Sequence, residues 1–245
     1  AVLGAGVMGS QIAAHLTNAK IPVYAFDISQ KAAKEGIDLS LKLKPSPFYN
    51  PKSIELITPM NYEDDLDKIS ECDWVIEVIA ERLDWKTELY KKINPFLKDN
   101  AILTSNTSGI SVYDLSKEMD EAMASRFFIT HFFNPPRYMK LVEVVSSSST
   151  KKELINVMSI FLEDVLGKGV VYAKDTPNFI ANRIGVYGMM VTLDEARKRK
   201  ISIEDVDLLT GSLIGRPKSA TFRTADVVGL DTMCFVANTA YEKCV

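Results

Sequence analysis

The sequence predicts an α/β protein in which a mostly parallel sheet is followed by a smaller all-helical domain. Three observations lead to this prediction. A glycine-rich turn joins the first apolar strand to the first helix. Short apolar runs then alternate with helical stripes as far as Lys174. Beyond Lys174 only helical patterns remain, so the boundary is predicted there, with domains at 1–174 and 175–245.

Each element is predicted from a local pattern. Apolar residues at helical spacing mark the helices, and short runs rich in β-branched and aromatic residues mark the strands. The predicted helices cover 7–18, 30–43, a segment near 112, 152–166, 178–198, 203–210 and a segment after 217. The predicted strands cover 1–3, 23–27, 54–57, 73–80, 101–104, 126–133, 141–145 and 170–172. Because the first and last patterns are incomplete, we expect a fragment of a longer polypeptide or a chain without its disordered ends.

The glycine-rich turn has the G-x-G-x-x-G spacing of a Rossmann-type dinucleotide-binding loop. The first glycine permits a tight turn, the second lets a pyrophosphate approach the backbone, and the third lets the helix lie close to the strand. Asp27 ends the second strand about 20 residues later, the separation expected for a carboxylate that binds the adenosine ribose. The turn residues predicted to bind the dinucleotide are Gly4, Ala5, Gly6, Val7, Met8 and Gly9.

Two further strands end in polar residues that suit a ligand site. Glu81 and Lys86 follow the strand at 73–80, and a hydroxyl-rich turn that includes Ser108 follows the strand at 101–104. In an open parallel sheet, ligands bind beyond the carboxyl ends of the strands. Two simpler interpretations remain open at this point: a surface ion pair for Glu81 and Lys86, and a helix cap for the hydroxyl-rich turn.

His131 and Glu143 are predicted to lie side by side. They belong to two β-rich runs joined by a Pro-Pro turn, a pattern that predicts a bend bringing the strand ends together. An ionised glutamate in an apolar strand is unfavourable unless another group pairs with it. A histidine beside such an acid, near a polar turn, indicates a functional site. His15, in the first helix, is expected to be structural.

Charge and composition exclude several classes of function. The formal net charge is −3 and there is no dense basic run, so nothing indicates a nucleic acid or an anionic membrane as partner. No apolar run is long enough to span a bilayer, and no signal-peptide pattern occurs. The three cysteines are scattered without a C-x-x-C motif, so neither disulfides nor a metal site is expected. These features predict a cytoplasmic protein.

Several segments, taken together, resemble the 3-hydroxyacyl-CoA dehydrogenase family. They are the turn at 4–9 with Asp27, and the segments 105–108, 131–135, 139–143, 174–177 and 182–183. The resemblance spans nearly the whole chain. It implies a dinucleotide-binding domain and a helical domain with the site between them, NAD as cofactor and an acyl-CoA as substrate. The segment 215–224 is similar to the subgroup in which the dehydrogenase is fused to an enoyl-CoA hydratase domain, so a homodimer or a larger multifunctional chain is expected.

The resemblance also implies roles for individual residues. His131 matches the catalytic base and Glu143 its partner, while Ser108 and Asn182 match residues that bind near the reacting oxygen. The positions that match contacts to the nicotinamide half of NAD are Glu81, Lys86, Ser108 and Asn134. Ser40 matches a position that contacts CoA, and Lys44 is a looser match to another.

The implied reaction is the oxidation of an (S)-3-hydroxyacyl-CoA by NAD⁺ to a 3-oxoacyl-CoA, in fatty-acid β-oxidation or its reverse. NAD accepts the hydride, and the protein supplies orientation and a base. A neutral imidazole suits this base near neutral pH, with an acid holding its ring. Asp27 favours NAD over NADP because a carboxylate repels a 2′-phosphate.

Three alternatives are compatible with the sequence. The first is another NAD-dependent β-hydroxyacid or sugar-acid dehydrogenase, which would share the glycine turn without needing the His131–Glu143 pair. The second is a non-catalytic NAD-binding structural relative, which would be expected to have lost the base or Asn182. The third is a scaffold segment of a multifunctional enzyme that is inactive alone.

Overall fold

The structure, a computed structural model, describes residues 1–243, without several side chains of the last helix. The chain divides into two units, Ala1–Asp175 and Thr176–Val245. Positions 244 and 245 of the predicted second domain lie outside the described residues.

The first unit is built on a sheet of eight strands. They are β1 (Val2–Leu3), β2 (Val23–Asp27), β3 (Ile57–Asn61), β4 (Trp74–Glu77), β5 (Ile102–Ser105), β6 (Phe127–Phe132), β7 (Leu141–Val145) and β8 (Gly169–Ala173). Their order across the sheet is β3-β2-β1-β4-β5-β6-β7-β8. Neighbouring strands are parallel except β6 and β7, which are antiparallel. This arrangement confirms the predicted Rossmann-type, mostly parallel sheet.

Six α-helices belong to the first unit. They are α1 (Val7–Asn18), α2 (Gln30–Ser40), α3 (Leu83–Ile93), α4 (Val112–Ser116), α5 (Glu121–Ala124) and α6 (Lys152–Ile160). The helix α1 packs its apolar face on the sheet, where Ile12 joins a fully buried cluster with Val2, Ile76 and Phe128. Each such buried aliphatic or aromatic side chain contributes about 1.5–3 kcal/mol to folding. This core fixes the strand ends that carry the polar residues.

One predicted element is wrong, and one predicted helix is too long. The segment predicted as a strand at 54–57 is a 3₁₀ helix, Pro51–Leu56, because Asn50 caps it through Lys52 N and Pro51 occupies its first position. The helix predicted to reach 43 ends at Ser40. The helix predicted at 152–166 is present over nearly that range, as α6 followed by a π-helical turn, Phe161–Val165.

All regular elements in the described part of the second unit are helices. Its helices are α7 (Ala181–Arg199), α8 (Ile203–Thr210), α9 (Phe222–Val228) and α10 (Leu230–Lys243). Ser202 caps α8 through Asp205 N, and Asp207 accepts hydrogen bonds from three backbone N–H groups at the start of α9. Within residues 1–243, no helix combines the length and apolar character needed to cross a bilayer.

Candidate active site

The glycine turn between β1 and α1 is closed so tightly that side chains do not fit at two positions. Gly4 has φ +107°, and a Cβ there would lie 2.8 Å from the carbonyl oxygen of Val78. A Cβ on Gly9 would lie 1.7 Å from the carbonyl oxygen of Gly4. At Gly6, by contrast, a Cβ would meet no atom of the described residues within 4 Å, so the turn is open on that side. An open backbone followed by a helix N-terminus suits a pyrophosphate.

Asp27 holds the glycine turn in place. Its Oδ2 accepts a hydrogen bond from Ala5 N at 2.9 Å, and its Oδ1 accepts one from Ile28 N at 2.8 Å. Asp27 also lines a cleft of about 570 Å³ together with Gly4, Gly6 and residues of α3. This volume lies within the range of about 300–1,000 Å³ that ligand pockets occupy. The loop, the acid and the cleft therefore fit the adenosine and pyrophosphate parts of a dinucleotide.

Glu81 joins the ends of β4 and β5. Its Oε1 accepts hydrogen bonds from Thr107 Oγ1 at 2.5 Å, Ser108 N at 2.9 Å and Gly109 N at 3.1 Å. Its Oε2 lies 3.5 Å from Lys86 Nζ. The hydroxyl of Ser108 makes no hydrogen bond with the described residues. Glu81 thus holds the turn that presents this hydroxyl.

Lys86 is almost completely buried, with a side chain that is 1% exposed. Its Nζ lies 2.6 Å from Glu77 Oε1, and Glu77 is fully buried. The sequence predicts Lys86 in the first turn of the helix that follows this strand, and Lys86 lies there in α3, but the sequence pattern did not reveal its partner Glu77. In the structure the ammonium group of Lys86 connects a buried carboxylate with the partly exposed carboxylate of Glu81.

His131 and Glu143 pair across two antiparallel strands. They are directly opposite in the register of β6 and β7, and His131 Nδ1 lies 2.8 Å from Glu143 Oε2. Both residues are buried, and the ring of Phe133 lies 4.4 Å from the imidazole centroid. Because an ionised carboxylate only accepts hydrogen bonds, Nδ1 carries the hydrogen, and in a neutral ring Nε2 then keeps its lone pair. The predicted proximity of the two side chains is therefore confirmed.

Asn134 follows this strand and lies beside α1. Its Oδ1 accepts a hydrogen bond from Gln11 Nε2 at 3.1 Å, and the same amide group of Gln11 donates to Val7 O at 2.9 Å. Asn134 is exposed. Gln11 thereby fixes Asn134 next to the residues that open α1 after the glycine turn.

Three predicted site residues remain to be described. Ser40 is 1% exposed, and its hydroxyl donates to Ile37 O at 2.6 Å in the last turn of α2. Lys44 is exposed in the loop after α2. Asn182 is half-buried in the first turn of α7, in the second unit.

Comparison with known protein families identifies the family of this chain. The model of the family "3-hydroxyacyl-CoA dehydrogenase, NAD binding domain" matches residues 1–176, and the model "3-hydroxyacyl-CoA dehydrogenase, C-terminal domain" matches residues 179–244. The chain belongs to the 3-hydroxyacyl-CoA dehydrogenase family. The family resemblance expected from the sequence, with NAD as the cofactor of the first domain, is thus confirmed.

Family members in bacteria are similar along nearly the whole chain. A probable 3-hydroxyacyl-CoA dehydrogenase of Bacillus subtilis is 48% identical over 99% of this chain, which spans 34% of that protein. A probable 3-hydroxyacyl-CoA dehydrogenase of Deinococcus radiodurans is 45% identical over 97% of this chain, which spans 70% of that protein. A putative fatty acid oxidation complex trifunctional enzyme of Rickettsia prowazekii is 40% identical over 97% of this chain and 34% of its own length. The chain therefore spans about a third of two of these relatives.

Two solved structures share the fold of this chain. The crystal structure of M. tuberculosis FadB2 matches 98% of this chain and 86% of its own, with 28% identity and a TM-score of 0.87. That of the (S)-3-hydroxybutyryl-CoA dehydrogenase PaaH1 from Ralstonia eutropha matches 99% of this chain and 86% of its own, with 28% identity and a TM-score of 0.83.

In this member of the 3-hydroxyacyl-CoA dehydrogenase family, sequence reasoning missed two residues next to the site. Glu77 binds Lys86, and the available signal was an acid inside an apolar strand, which needs a partner. Gly36 lies in α2, where a Cβ would be 2.0 Å from Ala5 O. Its signal was a glycine in a helix interior, an unfavourable position unless another element packs closely against it.

Lys168 is a third residue that the sequence did not reveal. It lies just before β8, and its buried Nζ donates to Pro136 O and, at 3.0 Å, to Met139 O. Both carbonyls belong to the connection between β6 and β7. Burial lowers the pKa of Lys168 to about 8. The ammonium group fixes the connection that links the strands of His131 and Glu143.

His15 is structural in this family member, as expected. Its Nε2 lies 3.2 Å from Leu166 O, so this nitrogen is the donor, and its Nδ1 is buried without a partner in the described residues. Burial, reinforced by the positive charge of Lys168, lowers the pKa of His15 to about 4. The ring is therefore neutral at physiological pH.

Proposed function

We propose that this chain catalyses the NAD-dependent oxidation of (S)-3-hydroxyacyl-CoA to 3-oxoacyl-CoA, the dehydrogenase step of fatty-acid β-oxidation, or the reverse reaction. The observation that carries the proposal is the buried His131–Glu143 pair, 2.8 Å apart within an NAD-binding domain of this family. The residues proposed to hold the coenzyme are Gly4, Ala5, Gly6, Val7, Met8, Gly9, Asp27, Glu81, Lys86, Ser108 and Asn134.

The chemistry needs a base, an orienting acid and hydrogen-bond donors for the reacting oxygen. NAD supplies the hydride acceptor. Nε2 of His131 takes the hydroxyl proton of the substrate, while Glu143 holds the ring and stabilises the imidazolium that forms. Ser108 and Asn182 donate hydrogen bonds to the oxygen as it becomes a carbonyl. A Ser108 hydroxyl that has no partner within the described residues supports this role.

The substrate's CoA group is proposed to contact Lys44, which is exposed. The match of Ser40 to a CoA-contacting position is not carried into the proposal, because Ser40 is 1% exposed and its hydroxyl donates to Ile37 O. The proposed NAD-binding domain covers 1–174 and the proposed helical domain 175–245. We also propose a cytoplasmic enzyme that acts as a homodimer or within a larger multifunctional chain, as the Rickettsia relative's name suggests for that protein.

The test is an assay of the purified chain with acetoacetyl-CoA and NADH, followed by the loss of NADH absorbance. We expect turnover with the CoA thioester and little turnover with the free 3-oxo acid. His131→Gln should lower kcat by about 10²–10⁴-fold and leave NADH affinity nearly unchanged. His15→Gln, at the other histidine, is the matched control and should keep kcat. Equal kcat for wild type and His131→Gln would show that His131 is not the base.

A further inference from the structure

Glu77 occupies a central position in the first unit. It is the last residue of β4, where it is paired with Leu3 of β1 on one side and with Ser105 of β5 on the other. Its side chain is fully buried. A buried carboxylate is strongly unfavourable unless donors surround it, so its partners decide what it does.

Four donors surround this carboxylate. Oε1 accepts hydrogen bonds from Ile79 N at 2.7 Å and Lys86 Nζ at 2.6 Å. Oε2 accepts hydrogen bonds from Tyr90 Oη at 2.8 Å and Ser105 Oγ at 2.6 Å. An ionised carboxylate has about four lone-pair sites, and four donors occupy them. Burial and the Glu77 charge raise the pKa of Tyr90, which keeps its hydroxyl a donor.

One of these donors leads to the turn that carries Ser108. Ser105 Oγ also accepts a hydrogen bond from Thr107 N at 3.1 Å, while the carbonyl of Glu77 accepts one from Asn106 N at 2.8 Å. Thr107 and Ser108 in turn bind Glu81. A continuous chain of hydrogen bonds therefore runs from the buried carboxylate through Ser105 to the Ser108 turn.

The same turn connects to the catalytic strand. Asn106 Oδ1 accepts a hydrogen bond from Phe132 N at 2.9 Å, directly after His131. The residues that precede Ser108 in the turn are thus fixed to β4, β5 and β6. Tyr90, by contrast, lies in α3, and its hydroxyl donates to Glu77 rather than holding a backbone group of the turn, which makes it a useful reference for Ser105.

We propose that Glu77 and Ser105 are positioning residues, which act through the Ser108 turn to set the hydrogen-bond donor for the reacting oxygen. This inference rests on the proposed role of Ser108. In this proposal, neither Glu77 nor Ser105 touches the substrate or the coenzyme. Glu77 orients the Ser105 hydroxyl by accepting its hydrogen, and Ser105 then holds the Thr107 amide so that Ser108 keeps one geometry.

The experiment compares Ser105→Ala with Tyr90→Phe. Each variant removes one buried hydroxyl donor from the same oxygen of Glu77, but only Ser105→Ala also removes the acceptor of Thr107 N. Leaving the buried Thr107 N without its acceptor corresponds to about tenfold or more in the equilibrium that holds the Ser108 turn in place. We expect Ser105→Ala to lower kcat by about tenfold and Tyr90→Phe to lower it by no more than about threefold.

Two readouts separate positioning from general destabilisation. In a Ser108→Ala background, Ser105→Ala should lower kcat by no more than about threefold, because its effect passes through Ser108. Ser105→Thr, which restores the hydroxyl in a strand, should recover most of the lost kcat. If Ser105→Ala does not fold, Ser105→Cys, with a weak sulfur donor of similar size, takes its place. Equal losses in Ser105→Ala and Tyr90→Phe, or a full loss in the Ser108→Ala background, would overturn the proposal.

Hydrogen exchange tests the proposal without activity. The Thr107 amide should exchange at least about tenfold faster in Ser105→Ala than in wild type, and at the wild-type rate in Tyr90→Phe. Unchanged Thr107 exchange in Ser105→Ala would contradict the inference. An inactive wild type with the expected exchange pattern would instead refute the proposed function and retain the hydrogen-bond link itself.

Discussion

Glu143 lies directly opposite His131 across β6 and β7, with its Oε2 2.8 Å from His131 Nδ1. Antiparallel pairing places the two side chains on the same face of the sheet, so the strand register itself brings the acid to the ring. The acid needs no loop to reach its partner. The backbone pairing of β6 and β7 therefore fixes the orientation of the His131 ring, the proposed base.

Replacing the acid should slow the reaction without preventing folding. Glu143→Gln keeps an acceptor for Nδ1–H but removes the negative charge that stabilises an imidazolium. We expect kcat to fall by about 10²-fold or more, with a smaller change in KM. Steady-state kinetics with acetoacetyl-CoA measure this. Glu118→Gln, at a surface carboxylate paired with Lys91, is the control and should keep kcat.

The coenzyme preference should depend on Asp27. Asp27→Asn removes the negative charge that repels a 2′-phosphate and weakens the bond to Ala5 N. We expect NAD to lose about tenfold or more in kcat/KM, and the ratio of NAD to NADP use to fall. Asp38→Asn, on the exposed side of α2, should change neither value. An unchanged cofactor ratio in Asp27→Asn would show that another group selects the cofactor.

Acid should destabilise the protein partly through His15. Its pKa is lowered from 6.5 to about 4 in the folded protein, so between these values the unfolded chain binds a proton that the folded protein does not. The contribution of the neutral His15 ring to the free energy of unfolding is fully present above pH 6.5. It is lost as the pH falls towards 4, by up to about 3 kcal/mol. Urea unfolding across this window measures the loss. His15→Gln should lose less stability in the window, and parallel curves for both proteins would contradict the assignment.

The close approach of α2 to the glycine turn should make Gly36 intolerant of a side chain. In Gly36→Ala, the new Cβ would lie 2.0 Å from Ala5 O, so the helix or the turn must move. We expect a destabilisation of about 1–3 kcal/mol and weaker NADH binding. Gly169→Ala is the control, because a Cβ there meets none of the described atoms within 4 Å. Thermal unfolding and NADH fluorescence titration compare the two variants.

The ammonium group of Lys168 should stabilise the connection between β6 and β7. Lys168→Met leaves the carbonyls of Pro136 and Met139 without this donor, which corresponds to about 1–3 kcal/mol of unfolding free energy. Lys140→Met, at an exposed lysine of the same connection, should change stability by less than about 0.5 kcal/mol. Urea unfolding measures the free energy of unfolding of both variants. Equal values for Lys168→Met and Lys140→Met would exclude this role of Lys168.

The fold and the ends of its strands could be predicted because their signals are local. The glycine spacing, the alternation of strands and helices, and the acid in a strand opposite His131 all depend on near neighbours in the sequence. The prediction of a strand at 54–57 was wrong for a related reason. The helix start formed by Asn50 and Pro51 has a stronger effect on local structure than the short apolar run that follows it.

The contacts that complete the site could not be predicted because they join distant parts of the chain. Asp175 accepts hydrogen bonds from Val112 N and Tyr113 N at the start of α4, more than 60 residues earlier in the chain. Lys168 reaches two carbonyls that precede it by about 30 residues. Surface lysines and caps are common, so no sequence pattern distinguishes these residues from ordinary ones.

The bond between Asp27 and the amide of Ala5 has a consequence for binding kinetics. A phosphate-binding loop that is mobile when empty must lose conformational entropy as its ligand arrives, which weakens affinity and slows productive association. Here a strand-end carboxylate has already immobilised the loop when the chain folds. The coenzyme therefore binds to a preformed loop. Mutations are expected to change its dissociation rate more than its association rate.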